Sequence, residues 1–134
     1  MKKDGWRKPA YADRTNHGGV WENSMKVRAD ISTVDNGRDK ILSVCQCDPK
    51  GGFEHEVIIQ RGPKEYDWFD KHPGPRISFP TLNLDIVPGP EKILFSGDSM
   101  TIILTGPEDI EVDISRLTQK ERDNLKKVAR LLFE

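Results

Sequence analysis

The sequence predicts a mainly β protein: about seven short antiparallel strands form a small barrel or sandwich, which one C-terminal helix caps. Three observations support this fold class. Between residues 25 and 115, apolar and polar residues alternate with a period of two, as in strands with one buried face. Glycine-proline pairs and Asn-Gly or Gly-Asp turns separate these stretches. After residue 117 the apolar period becomes that of a helix.

The bulk properties indicate one soluble domain. A chain of 134 residues can bury a single core without metals or disulfides, and its net charge of −1 gives no general attraction to nucleic acid or anionic membranes. We expect residues 25–134 to form the domain and residues 1–24 to form a partly ordered N-terminal arm. Because neither a membrane span nor a signal peptide is recognisable, we expect a cytoplasmic protein.

The first half of the domain is predicted to form an antiparallel meander. Alternate residues from Met25 to Ile31 are apolar, which predicts one strand with a buried face. An Asp-Asn-Gly turn leads to a second strand at residues 40–47, and a Pro- and Gly-containing turn leads to a third at residues 53–61. Short turns of this kind join antiparallel neighbours.

The second half has shorter strands. Residues 76–87 alternate, with Leu82 among the apolar positions, and Pro80 within this run implies a sheet edge or a bulge. Residues 92–105 contain a Gly-Asp turn and are predicted to form a hairpin. Residues 110–114 alternate as the last strand.

A helix is predicted over residues 118–133. Thr118 and Glu121 have the spacing of a capping box, in which each side chain bonds the other's backbone amide. The apolar positions then recur at helical spacing: Leu125, Val128, Ala129 and Leu132. A helix of this length is marginal alone, so its apolar face must pack against the strands.

This order of elements, several strands followed by one capping helix, resembles the pleckstrin-homology-like architecture. The resemblance concerns the order and lengths of the elements, and it carries over no functional residue. A plain β-sandwich with an appended helix is the alternative arrangement.

No pattern of catalytic, metal or cofactor-binding residues emerges. Cys45 and Cys47 are two positions apart on a predicted strand, where a disulfide between them is geometrically poor, so we expect free thiols. No second closely spaced pair of cysteines or histidines completes a metal site. The glycine pairs lack the context of a phosphate-binding loop. We therefore predict no metal and no cofactor.

The nearest approach to an acid–base cluster is Glu54-His55-Glu56. In a strand His55 points away from both glutamates, so the three residues cannot form one site by themselves. A small hydrolase or nuclease remains an alternative hypothesis, in which Asp85 or Asp113 would meet the histidine across the sheet.

The predicted partner-binding site is the connection at residues 62–76. It is longer than a hairpin requires, and long connections in compact domains are often functional. It contains three aromatic and two acidic residues that we predict to contact a protein partner: Tyr66, Asp67, Trp68, Phe69 and Asp70. The acidic residues disfavour a nucleic-acid surface. In the alternative interpretation, Trp68 or Phe69 folds back into the core.

Two basic regions complete the set of candidate surfaces. The helix carries a secondary basic surface, here called the basic helix face: Lys120, Lys126, Lys127 and Arg130. The N-terminal arm mixes lysine and arginine with aromatic residues, which gives the alternative function of nucleic-acid binding. The main prediction is a non-catalytic protein-binding module, namely an adaptor, an inhibitor or an immunity-type factor of the kind that phages and mobile elements encode.

Overall fold

Two β-sheets and one C-terminal helix enclose a common apolar core in the computed structural model, which describes residues 24–62, 74–86, 89–104 and 109–134. The strands are, in chain order, β1 (Ser24–Arg28), β2 (Ile31–Asn36), β3 (Lys40–Cys47), β4 (Phe53–Arg61), β5 (Arg76–Phe79), β6 (Leu84–Ile86), β7 (Pro90–Ser96), β8 (Ser99–Leu104) and β9 (Asp109–Asp113). The helix is α1 (Gln119–Leu132).

The strands form a four-stranded sheet in the order β1-β9-β8-β7 and a five-stranded sheet in the order β2-β3-β4-β5-β6. The predicted fold class, mainly β with one C-terminal helix, is confirmed. The sheets do not close into a barrel, so the sandwich is the arrangement that fits.

One strand pair departs from the predicted antiparallel pattern. β1 and β9 pair in parallel, with Met25 opposite Ile110 and Val27 opposite Val112. The two strands are far apart in the sequence and no hairpin joins them, so no local turn sets their relative direction.

The single strand predicted from Met25 to Ile31 is in fact two strands in different sheets. The Ala29 amide donates to the Asp113 carbonyl at 2.8 Å, and the next amide, that of Asp30, donates to the Cys45 carbonyl at 2.8 Å. The alternation of faces restarts at this crossing. Ala29 is therefore fully buried while Ile31 is 44% exposed, and the prediction of a buried Ile31 is wrong.

The predicted run at residues 76–87 is also interrupted. Pro80–Leu82 forms a 3-10 turn between β5 and β6, and Asn83 ends it in the left-handed region at φ 51°. Proline suits the start of such a turn because it has no amide to donate. The turn carries Leu82 out of the alternation and leaves it exposed, contrary to the prediction.

The helix begins and packs as predicted. Thr118 Oγ1 accepts from the Glu121 amide at 3.2 Å, and Glu121 Oε1 accepts from the Thr118 amide at 2.9 Å. The apolar face is buried against the core: Leu125, Val128, Ala129 and Leu132. No helix among the described residues is both long and apolar enough to cross a lipid bilayer.

Candidate functional site

The aromatic connection that the sequence singles out lies outside the described residues. These are the predicted partner-binding positions Tyr66, Asp67, Trp68, Phe69 and Asp70. The structure does describe where the connection starts and ends, because Gln60 of β4 is the register partner of Arg76 of β5. The N-terminal arm also lies outside the described residues, apart from Ser24 at its boundary.

The basic helix face is described, and all of its members are exposed: Lys120, Lys126, Lys127 and Arg130. Helical geometry, at about 100° per residue, divides them between two flanks. Lys126 and Arg130 are four residues apart and share one flank. Lys120 and Lys127 are seven residues apart and share the other flank, about a quarter of a turn away.

Lys126 lies close to the four-stranded sheet. Lys126 Nζ lies 5.9 Å from the ring centre of Phe95 on β7. One turn earlier in the helix, Arg122 Nη1 lies 2.8 Å from Asp98 Oδ1 in the turn after β7. Among the four predicted basic residues, Lys126 is therefore the one whose contact with the four-stranded sheet is seen.

A network of charged side chains holds the crossing between the sheets. Arg28 donates to both carboxylate oxygens of Asp30, from Nε at 2.9 Å and from Nη2 at 2.9 Å. The Cys47 amide donates to Asp30 Oδ2 at 2.8 Å, and Arg116 Nη1 donates to Oδ1 at 3.0 Å. The hydrogen bonds from Arg28, then the one from the Cys47 amide, hold the pKa of Asp30 well below its usual range.

Gln46 extends this network to β4. Its Oε1 accepts from the Arg28 amide at 2.7 Å, and its Nε2 donates to Glu54 Oε1 at 3.0 Å. The register between β3 and β4 shifts here, because Gln46 pairs with His55 whereas the next residue, Cys47, pairs with Phe53. Glu54 is therefore the extra residue of a β-bulge. Gln46 is the register partner of His55, and the bulge lets it also bond the neighbouring Glu54. Strict strand alternation did not predict this contact.

An open cleft of about 500 Å³ lies beside this network. Its described lining is Lys26, Val27, Arg28, Gln46, Asp98, Ser99, Glu111 and Asp113. Its carboxylates already have local partners. Asp98 pairs with Arg122 at 2.8 Å, and Glu111 lies 4.0 Å from Lys26.

Asp113 in the same cleft accepts from the Ser115 amide at 2.9 Å, which lowers its pKa. A carboxylate with a lowered pKa is a poor proton acceptor near neutral pH. Asp113 is therefore a poor candidate for a general base.

Of the histidine and the two carboxylates in the hydrolase hypothesis, the structure describes the side chains of His55 and Asp113. His55 lies on β4 in the five-stranded sheet, and Asp113 lies on β9 in the other sheet. The buried Nδ1 of His55 has no hydrogen-bond partner among the described residues. The side chain of Asp85 lies outside the described residues.

Both cysteines are free thiols, as predicted. Cys45 is buried, and its burial, together with the nearby charge of Glu56, raises its pKa to about 11. A thiol with so high a pKa is almost entirely neutral near pH 7, so Cys45 is a poor nucleophile.

No protein-family model matches this chain, and no curated protein matches it significantly. Within the described ranges, no group of three or more His, Cys, Asp and Glu side chains is arranged to hold a metal ion.

Proposed function

We propose that this protein is a non-catalytic protein-binding module, an adaptor, inhibitor or immunity-type factor, whose partner contacts the aromatic connection between β4 and β5. The residues that carry the contact are Tyr66, Asp67, Trp68, Phe69 and Asp70. The single observation that supports it most is the register of Gln60 with Arg76. Strands that pair at this point need only a short turn, so the intervening aromatic-rich residues are more than the fold requires.

The surface beside this connection also suits a partner. Ile41 of β3 is the register partner of Gln60, and Ile58 lies two residues earlier on β4. Both are half-buried, and they alternate with the fully buried Leu42 and Ile59, so they lie on the face turned away from the core. Apolar side chains on an outer sheet face favour a protein partner over a nucleic acid.

We place this function in the cytoplasm. Cys45 and Cys47 are both unpaired, and free thiols are typical of proteins in a reducing compartment.

The first test asks whether Trp68 is exposed. We expect Trp68→Phe to remove a red-shifted, acrylamide-quenchable part of the fluorescence and to change the free energy of unfolding by less than about 0.5 kcal/mol. A shielded Trp68 whose loss costs about 2 kcal/mol or more would instead show that it fills the core, and the proposal would lose its main support.

The second test compares partner capture by matched variants. We expect the native protein to retain a specific partner that the Tyr66→Ser/Trp68→Ser/Phe69→Ser variant does not retain. The control is Phe53→Ser, which removes an aromatic side chain that is 54% exposed elsewhere on the surface. Equal retention by the native protein and the triple variant, with both shown to be folded by circular dichroism, contradicts the proposal.

A further inference from the structure

The five-stranded sheet has an outer face, turned away from the core, that carries large apolar side chains. Strand alternation and register place four of them at the paired positions of β2 to β4: Ile31, Ile41, Phe53 and Ile58. Ile31 is 44% exposed and Phe53 is 54% exposed. At the paired positions of β2 to β5, the charged side chains on this face are Asp35, Glu56 and Arg76.

The helix lies on the opposite side of this sheet. Arg61, which alternates with the outward Gln60, donates from Nη1 to the Leu132 carbonyl at 3.2 Å. Val34 and Leu84 are partly buried and pack against the core on that same inner side. Neither the helix nor the four-stranded sheet therefore covers the outer face of the five-stranded sheet.

The outer face of the four-stranded sheet has a different character. Lys26 and Arg28 of β1 are the register partners of Glu111 and Asp113 of β9, so cations and anions stand side by side. Charged side chains of this kind favour contact with water, whereas exposed isoleucine and phenylalanine favour contact with protein. The five-stranded sheet is therefore the better docking surface.

The charges of this surface suit a second copy of itself. Asp35, Ile41, Gln60 and Arg76 form one row across β2, β3, β4 and β5. A two-fold axis that runs parallel to the strands, midway between β3 and β4, sets β2 of one copy over β5 of the other and keeps each row opposite itself. Asp35 of one copy then faces Arg76 of the second copy, and this contact occurs twice.

The same axis matches the remaining side chains. Ile58 faces Ser43 of the second copy, and Ile41 faces Gln60, because each of these pairs occupies one row of β3 and β4. Glu56 faces the uncharged Cys45. An axis on β4 itself would instead set Glu56 against Glu56 of the second copy. The axis between β3 and β4 therefore avoids a contact between like charges.

The size of the face indicates a reversible dimer. Strands about 4.8 Å apart, with rows of outward side chains about 7 Å apart, give a face of about 20 Å by 25 Å. Two copies would cover roughly 1,000 Å² in total, which is at the lower end for specific protein interfaces. We therefore expect a dissociation constant in the micromolar range.

We infer that this protein forms a two-fold symmetric dimer through the outer faces of its five-stranded sheets. The sheets pack face to face about 10 Å apart, with Ile41 and Ile58 at the centre and an Asp35–Arg76 pair at each margin. Asp35 already accepts from the Gly37 amide at 2.8 Å, and a carboxylate has room for further donors. The inference goes beyond the proposed function, whose partner is then left the aromatic connection.

Sedimentation velocity of the full chain, from about 1 to 500 μM, tests the dimer. We expect the native protein to shift from monomer to dimer as its concentration rises. Asp35→Arg and Arg76→Asp each set like charges against one another at both margins, and each should weaken dimerisation roughly tenfold or more. Mixed in equal amounts, the two variants should dimerise about as well as the native protein, because every facing pair is again opposite in sign.

Matched controls change the same chemistry elsewhere on the surface. Glu91→Arg makes the same change in net charge as Asp35→Arg at an exposed position of β7 and should weaken dimerisation by no more than about twofold. Ile58→Ser should weaken it roughly tenfold or more. Its control is Leu94→Ser, on the four-stranded sheet, where Leu94 is 49% exposed. Circular dichroism shows that each variant is folded.

Three results overturn the inference. They are a native protein that stays monomeric at about 500 μM, control variants that weaken dimerisation as much as the face variants do, and a mixture of Asp35→Arg with Arg76→Asp that dimerises no better than its components. If the native protein is monomeric and Ile58→Ser loses capture of a different protein, that protein occupies the face instead. Loss of capture by the aromatic variant alone tests the proposed function and leaves the dimer unaffected.

Discussion

Asp30 connects three separate parts of the chain through one carboxylate. It accepts from Arg28 on the first strand, from the Cys47 amide at the end of β3, and from Arg116 in the turn before the helix. Its side chain is only 15% exposed, so these bonds replace much of its hydration. At this point the chain leaves one sheet and enters the other, and the carboxylate fixes that crossing.

Asp30→Asn should lower the free energy of unfolding by about 1–3 kcal/mol near neutral pH, because the charged partners lose a charged acceptor. The folded pKa lies below the ordinary 3.8, so the native carboxylate stabilises the fold above that pH. The difference between native and variant should therefore shrink as pH falls below about 4. Urea denaturation at several pH values measures this difference in the free energy of unfolding, and the exposed Asp39→Asn is the control. A difference that grows as the pH falls contradicts the prediction.

The two thiols should differ in reactivity. Cys45 is 6% exposed and its pKa is about 11, whereas Cys47 is half-buried. At about pH 8, iodoacetamide should modify Cys47 at least tenfold or so faster than Cys45 in the native protein. Mass spectrometry of Cys45→Ser and Cys47→Ser assigns the two rates, and the difference should vanish in denaturant. Equal native rates would show that Cys45 is accessible.

At the scale of elements, the N-terminus of α1 depends on one local motif. The Thr118 hydroxyl and the Glu121 carboxylate satisfy two backbone amides that the first helical turn would otherwise leave without partners. We expect Thr118→Ala to reduce stability by about 1 kcal/mol, and Thr118→Ser, which keeps the hydroxyl, to cost less than about 0.5 kcal/mol. Thermal melts by circular dichroism measure both. Equal losses in the two variants would show that the cap contributes nothing.

The strands at the other end of the domain, β1 and β2, are positioned by long-range pairing rather than by a local motif. β1 and β2 are separated only by Ala29 and Asp30, yet they belong to different sheets. Their local alternation of apolar and polar residues is continuous, so it favours one strand. Backbone hydrogen bonds divide the run into two strands, because the Ala29 amide donates to β9 and the Asp30 amide donates to β3.

On the scale of the whole molecule, the two sheets and the helix share one core. Its largest fully buried side chains come from all three parts and include Leu42, Ile59, Phe79, Ile102, Ile110, Leu125 and Leu132. A helix that only decorated the surface would not contribute two of them. The helix is therefore part of the folding unit.

Leu125→Ala should therefore destabilise the whole domain, by about 2–5 kcal/mol, because it leaves a cavity in the shared core. Its neighbour Asn124 is exposed, so Asn124→Ala should change stability by less than about 0.5 kcal/mol. Urea denaturation followed by near- and far-ultraviolet circular dichroism measures both. If the helix signal is lost in Leu125→Ala before the sheet signal, the helix is a separate unit and the shared-core interpretation is wrong.

The sequence by itself determined the local features. The fold class, the capping box at Thr118, the buried stripe from Leu125 to Leu132 and the free cysteines follow from period, spacing and side-chain chemistry that act within a few residues. Tertiary structure alone decided the division of the first predicted strand, the exposure of Ile31, the parallel pairing of β1 with β9 and the flank of the helix that faces β7. Each of these depends on contacts between residues far apart in the chain, and such contacts leave no local period in the sequence.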